Sequence, residues 1–331
     1  MPGRSVDDYG APLFVAWQLT NRCQSRCVTC CEESGPDRAW VDELGRDQAL
    51  DLARRIGAAG IPYVAFGGGE PLGVAFCWEL FDTLAARGVA LKLETDGSRI
   101  DDAAADRLAS LPFECIQVSV DGANAETHAR VRPGSSFAAA TQAIRRLVAR
   151  GLRPQLVFVP TRLNIHEMKA TYELALALGC SAFVTGPLMR IGRAAERWRD
   201  VACGDQDWER ALTALRERAR ANDSAMELSI YPWDIITEIE RRLENPQAML
   251  LVVPSGKVKL LNALPFAPAD LRRQSLADAW HAYRMAWRTP EVRAFVGRCR
   301  AEPELLQHAN ETWPMGTAAR ARPGLRLDRL R

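Results

Sequence analysis

Lysine is nearly missing from this 331-residue chain: Lys92, Lys169, Lys257 and Lys259 are its only lysines, and arginine supplies the other basic residues. Basic and acidic residues number 43 and 41, for a formal net charge of +2. Nucleic-acid binders gather basic residues on one face, and no such excess is present. The nearest to a cluster is the tail from Arg320 to Arg331, where Asp328 and several leucines interrupt the run. Long apolar runs are missing too. No stretch reaches the ~20 residues of a membrane span. Residues 1–12 contain Gly3, Asp7, Asp8 and Gly10 and lack the apolar core of a secretory leader. The expected compartment is therefore the cytoplasm, with no nucleic acid and no membrane among its partners. Thiols stay reduced there, so nine cysteines ask for a role other than disulfides. Histidine is sparse: His128, His166, His281 and His308 are scattered, and no His-x3–5-His half of a zinc finger occurs.

What is present is an alternation. Strands are expected at 13–18, 63–66, 90–94, 115–120, 155–159 and 182–185. Helices are expected between them at 46–59, 76–87, 101–110, 137–150 and 166–178. The helical segments place apolar residues at i, i+3 and i+4, as in Leu52, Ile56 and Ala59. Gly60, Gly88, Gly151 and Gly179 close four of them at the usual terminal position. Repeated β-α units imply a parallel sheet, open or curled into a barrel. Ligands then gather at the C-terminal strand ends. Beyond Met189 the texture changes. Helices are expected at 205–222 and 236–244, and two strands at 249–253 and 257–261 around a Pro254-Ser255-Gly256 turn. A helical region follows at 275–298, broken by Pro290.

The first strand runs into Cys23-x3-Cys27-x2-Cys30, followed at once by Cys31. Three thiols in one loop at a strand end suit a single metal centre. Thiolates hold iron–sulfur clusters, normally one per iron of a four-iron cluster, so three leave one iron open. Zinc is the competing reading. It wants four ligands, and no second Cys knuckle exists. The other cysteines, Cys77, Cys115, Cys180, Cys203 and Cys299, stand alone, as buried or inert cysteines do.

The spacing Cys23-x3-Cys27-x2-Cys30 resembles the signature of the radical S-adenosylmethionine (SAM) superfamily. Further segments at successive strand ends carry the resemblance. Gly67-Gly68-Gly69-Glu70-Pro71 is similar to the family's Gly-Gly-Glu-Pro, and Thr95-Asp96-Gly97 to its Thr-Asn-Gly. Val118-Ser119-Val120-Asp121-Gly122 is similar to its Ser-x-Asp-Gly. Arg130 and Arg132 stand where relatives carry an arginine near SAM, and Thr161 and Asn164 are also in register. Thr29 replaces an aromatic usual before the third cysteine. The resemblance covers residues 13–195 and implies an α/β fold, a partial (β/α)6 TIM-like barrel with a small α+β C-terminal extension. It implies one [4Fe-4S] cluster on Cys23, Cys27 and Cys30. It also implies SAM bound by Gly68, Gly69, Glu70, Pro71, Thr95, Asp96, Ser119, Asp121, Arg130 and Arg132. The implied reaction is reductive SAM cleavage to a 5′-deoxyadenosyl radical, with flavodoxin or ferredoxin as electron donor.

Pro254-Ser255-Gly256-Lys257-Val258 and Gln274 to Trp280 are similar to the SPASM or twitch region that many relatives append. Leu261, Asn262 and Ala263 stand where relatives carry the first auxiliary-cluster cysteine, so residues 196–313 are expected to form such a region without a second cluster. Residues 1–12 are a leading segment, and 314–331 an Arg-rich tail expected to be disordered. Lack of an auxiliary electron acceptor favours a redox-neutral reaction. The cysteine-poor C-terminal part resembles the cytosylglucuronic acid decarboxylases of peptidyl-nucleoside antibiotic pathways. The expected substrate is accordingly a small polar sugar-nucleoside acid. Three alternatives stay open: an epimerase, dehydratase or dehydrogenase of a sugar or aminocyclitol; a peptide-modifying maturase; and a non-catalytic metal-binding protein. Catalytic candidates are Gln117, which shares a strand face with Ser119, and Arg190. Arg193, Tyr231, Trp233 and Asp234 are further candidates near the barrel mouth.

Overall fold

A computed structural model of the chain describes residues 5–221 and 226–315. The expected disordered tail lies, beyond residue 315, outside the described residues, as do residues 1–4. In chain order the barrel elements are β1 (Phe14–Thr20), α1 (Arg46–Ala58), β2 (Tyr63–Gly68), α2 (Cys77–Ala85), β3 (Ala90–Thr95) and α3 (Asp102–Ala109). They continue with β4 (Phe113–Ser119), α4 (Ala125–Val131), α5 (Phe137–Ala149), β5 (Gln155–Val157), α6 (Met168–Ala177) and β6 (Ala182–Thr185). Then come α7 (Gly192–Glu196), α8 (Trp198–Val201), α9 (Asp205–Arg220), β7 (Glu227–Ile230) and α10 (Ile235–Glu244). The last part holds β8 (Met249–Val252), β9 (Lys257–Lys259), β10 (Phe266–Ala267), β11 (Ala269–Asp270), α11 (Leu276–Ala286), α12 (Pro290–Cys299) and β12 (Trp313–Pro314).

Strands β1 to β7 pair in sequence order, each parallel to the next, and β8 joins the free side of β1, also in parallel. The parallel run is thus eight strands rather than six, and its outer two come from beyond residue 195. Beside β8 the antiparallel β9 and β11 complete the ten-stranded sheet. This is the α/β partial barrel with a C-terminal extension. Burial alternates along the strands. In β1, Val15, Trp17 and Leu19 are buried against the helices, while Phe14, Ala16 and Gln18 face the lumen half-exposed. The outer layer is the core: Leu52, Ile56, Phe66, Leu80, Phe81 and Ile144 are all within 1% of complete burial.

Helix starts follow side-chain capping. Asp101, Ser136 and Ser275 accept from the backbone amides three residues on. Pro290 does not break a long helix midway; it opens α12 at the first turn, where its missing N–H costs nothing. Residues 5–12 are docked rather than loose: the Tyr9 carbonyl accepts from Trp280 Nε1 at 2.9 Å, and Asp7 pairs with Arg288. No helix among the described residues is long and apolar enough to cross a membrane.

Candidate active site

Cys23, Cys27 and Cys30 occupy the loop after β1, and other strand ends hold that loop from several sides. The turn after β2 binds its start: the Gly69 amide donates to the Thr20 carbonyl at 2.7 Å and the Glu70 amide to the Arg22 carbonyl at 3.0 Å. A Cβ at Gly69 would stand 2.1 Å from the Arg22 carbonyl oxygen, so only glycine permits this approach. The glycine run is needed first for backbone on backbone. The end of β3 reaches the loop through Asp96, which accepts from Ser25 Oγ at 3.1 Å and from Gln24. Beyond β6, Arg193 Nη1 donates to the Cys27 carbonyl at 2.6 Å, its Nη2 donates to the Ser34 carbonyl, and its amide donates to the Cys30 carbonyl at 3.1 Å. Arg193 is therefore a staple of the cysteine loop.

Burial pushes the Cys23 thiol up to about 12 and the Cys30 thiol up to about 11, and raises Cys27 as well. Such thiols become thiolates only with positive charge beside them. Arg132 supplies one such charge near Cys27, and the Ser34 amide donates to Cys30 Sγ at 3.3 Å. Among the described residues no three His, Cys, Asp or Glu side chains converge where a single ion would sit. A tetrahedral zinc site needs that convergence. A four-iron cluster takes one thiolate per iron, so Cys23, Cys27 and Cys30 would hold three of its irons. Cys31 turns elsewhere, its Sγ donating to Glu32 Oε2 at 2.8 Å.

Around this loop the expected SAM residues form two linked groups. Glu70 is 2% exposed and accepts from Thr95 Oγ1 at 2.9 Å and from the Asp96 and Leu72 amides at 3.1 Å each. Burial and then the charge of Asp96 push its carboxyl up to about 8. Asp121, fully buried at the end of β4, accepts from Arg132 Nη1 at 2.9 Å and from the Val159 amide at 2.7 Å. Buried Arg132 stays charged: burial works against it, while Cys27 and Asp121 hold it in the cationic form. Its Nε has no hydrogen-bond partner. Thr161 and Asn164 bond each other, and Asn164 Nδ2 donates to the Asp121 carbonyl at 3.2 Å. Pro71 is buried in the turn after Glu70. Ser119 is half-buried on the same strand face as Gln117. Arg130 is set apart from these groups, exposed on α4.

The lumen of the barrel holds a cavity of about 260 Å³ next to Gly67, Gly68 and Glu32. Tyr231, Trp233, Glu238 and Asn262 close its other side. Tyr231 and Trp233 thus stand at the mouth, whereas Asp234 caps α10, accepting from the Ile236 and Thr237 amides. Gln117 is not in the lining of the cavity and donates to Gln155 at 2.9 Å. Arg190 is not in the lining of this cavity; it is half-buried and lies over Trp198 at 5.6 Å. Sequence reasoning missed Glu32, Glu94 and Glu238 as lumen residues. Alternation along β3 signalled Glu94, but nothing local marks the other two.

Residues 17–175 match the radical SAM superfamily. Over 226 residues the chain is 34% identical to the mycofactocin maturase MftC of Mycolicibacterium smegmatis, a match covering 66% of this chain and 56% of that protein. It is 25% identical over 311 residues to the AdoMet-dependent heme synthase of Methanosarcina barkeri, covering 87% and 88%. The chain spans little more than half the length of the maturases it matches. Streptococcus suis SuiB bound to S-adenosylmethionine has the same fold, with a TM-score of 0.72 at 11% identity over 94% of this chain and 78% of SuiB. The anSMEcpe structure with bound AdoMet gives 0.62 at 15%, covering 83% of this chain and 82% of that one.

Proposed function

The chain carries a radical SAM superfamily domain at residues 17–175, and from that premise we propose that it is a radical SAM enzyme acting on a side chain of a peptide. The observation that carries the substrate class is the 34% identity to a maturase. The cavity agrees with it. At about 260 Å³ it falls just below the ~300–1,000 Å³ of ordinary small-molecule pockets. It suits one side chain or one sugar ring and is small for a tetrapyrrole. The decarboxylation of a cytosylglucuronic-type acid, expected from the C-terminal part, has no support among these relatives and is set behind the peptide reading.

Cys23, Cys27 and Cys30 would hold the cluster. When bound, that cluster supplies the electron that cleaves SAM to the 5′-deoxyadenosyl radical. The chain's own part is position and exclusion of water. Gly69 and Arg193 fix the cysteine loop, and Asp121 with Arg132 places a buried cation beside Cys27. Glu70 locks the turn after β2 to β3, and the backbone of Gly68 and Gly69 is the part we assign to SAM. The extension closes the lumen with Tyr231, Trp233 and Asn262, keeping a reactive radical from water. A flavodoxin or ferredoxin would supply the electron.

Iron and sulfide per chain after anaerobic reconstitution test the class. About four of each are expected, falling to near zero when the three cysteines become alanine. Tightly held zinc without iron would overturn it. For the substrate class, SAM turnover is measured with a low-molecular-weight cell fraction before and after digestion by a nonspecific protease. Stimulation lost on digestion supports a peptide; stimulation that survives it returns the weight to a small molecule.

A further inference from the structure

Among the described residues Glu33 is the one residue other than glycine with a positive φ, at +56°. The left-handed region crowds the Cβ of an L-residue against its own backbone, and glutamate is not among the residues that visit it readily. Such a conformation persists only where the surroundings hold it, and it gathers at functional sites. Glu33 follows Cys30 and Cys31 in the cysteine loop. Its dihedrals set the plane of the Glu33–Ser34 peptide bond. That plane aims the Ser34 amide at Cys30 Sγ, 3.3 Å away.

A grip on this turn comes from the other end of the chain. Asn310 Nδ2 donates to the Cys31 carbonyl at 2.8 Å and to Glu33 Oε2 at 2.7 Å. One side-chain amide, with its two protons, thus holds the loop on both sides of Glu32. Asn310 is itself fixed. It follows the 3-10 helix Pro303–His308, whose Leu306 is fully buried, and the carbonyl of the preceding Ala309 accepts from buried Lys259. Downstream of Glu33, Ser34 Oγ donates to Asn21 Oδ1 at 2.8 Å and the Gly35 amide donates to the Asn21 carbonyl at 3.3 Å. Those contacts hold the turn from one side, and Asn310 holds it from the other.

We propose that Asn310 is a positioning residue for the cluster: through the Cys31 carbonyl and the Glu33 side chain it holds the left-handed turn that aims the Ser34 N–H at Cys30 Sγ, and so raises the cluster's reduction potential. The proposal rests on Cys23, Cys27 and Cys30 holding a [4Fe-4S] cluster, and not on the class of substrate. An N–H dipole at a ligand sulfur stabilises the negative charge added on reduction, which is how hydrogen bonds to the sulfurs move cluster potentials. The C-terminal extension then has a second part besides closing the lumen: it makes the cluster easier to reduce. Asn310 lies 279 residues from Cys31 in the chain, so only the fold brings it to the cysteine motif.

The test is a redox titration of the reconstituted full chain without SAM, with the reduced cluster read by electron paramagnetic resonance. At the parent's midpoint potential, the ratio of reduced to oxidised cluster in Asn310→Ala is expected to fall about fivefold, a downward shift of about 40 mV for one electron. Iron should stay at about four per chain. The substitution is neutral, so no change of charge contributes. A second comparison uses Glu33→Ala and Glu33→Gly, which lose the same carboxylate and differ in how readily they take a positive φ. Glu33→Ala should show the lower ratio, by about threefold. If Asn310→Ala loses its iron, this pair decides. A ratio in Asn310→Ala within about 1.5-fold of the parent's at full iron, equal ratios in the two Glu33 variants, or loss of iron from all three variants overturns the proposal. A parent chain that takes up no four-iron cluster would instead bring down the enzyme reading first, and the proposal with it.

Discussion

At the scale of single residues, Glu70 shows how burial changes what a side chain does. Its oxygens are occupied by the Thr95 hydroxyl and two backbone amides, and still burial and Asp96 push its carboxyl from 4.5 up to about 8. Between those two values the folded chain keeps a proton that the unfolded chain has released. Stability therefore falls as the pH rises through that window, by up to about 1.4 kcal/mol per pH unit for one full proton. Urea midpoints of the cluster-free chain at pH 5 and pH 7 should show the decline, and Glu70→Gln should flatten it by that amount. An identical slope in the variant would mean that other groups cause it. The same reasoning explains the cysteines. Their raised thiols are poor nucleophiles when free, and become useful only as ligands whose charge a metal compensates.

At the scale of elements, the short turn between β6 and α7 has more influence on the site than its length suggests. Gly192 sits at φ +54°, and a Cβ there would meet the carbonyl oxygens of Cys30 and Cys31 at 2.5 Å. The left-handed backbone alone costs a non-glycine residue roughly 1–2 kcal/mol, and the contact with the cysteine loop adds to it. Gly192→Ala should leave the far-ultraviolet dichroism unchanged while iron retained after desalting drops to less than half that of the parent. Full iron retention would show that the loop yields freely. Elements differ in how readily their sequences reveal them. The helices α1, α2, α3, α5 and α6 announce themselves by periodicity, and the glycines closing four of them take positive φ as their position requires; the short α4, seven residues, is not read from the sequence. Strand β7, only Glu-Leu-Ser-Ile, has no alternation long enough to read. It exists because the open edge of β6 offers it a ladder.

At the scale of the whole molecule, the extension completes the barrel. Strand β8 covers the outer edge of β1, and β7 covers that of β6. A boundary at residue 195 therefore divides the chain but not the sheet, and the lumen cavity takes its walls from both sides of it. A fragment ending at residue 195 would expose two unpaired parallel edges and part of the core, which invites edge-to-edge association. It should appear largely insoluble or as high-mass aggregate by size-exclusion chromatography, while the full chain elutes as a discrete species. A soluble, monomeric fragment would show that the first six strands suffice by themselves.

Local chemistry let the sequence determine a great deal on its own. Cys23, Cys27 and Cys30 are close in the chain, so their loop was legible without a fold. The β-α alternation announced strand ends as the place for ligands, and each glycine- or aspartate-bearing motif indeed follows a strand. Only the tertiary structure decided the rest, because the groups concerned are far apart in sequence. Arg193 reaches back to the cysteine loop across more than 150 residues, which makes it a staple, while Arg190, three residues earlier, is half-buried over the ring of Trp198. Arg132 is buried on Asp121 and Arg130, one helical step away, is not. The three lumen carboxylates come from the cysteine loop, β3 and α10. A pocket's charge is a sum over side chains that only the closed sheet brings to one place.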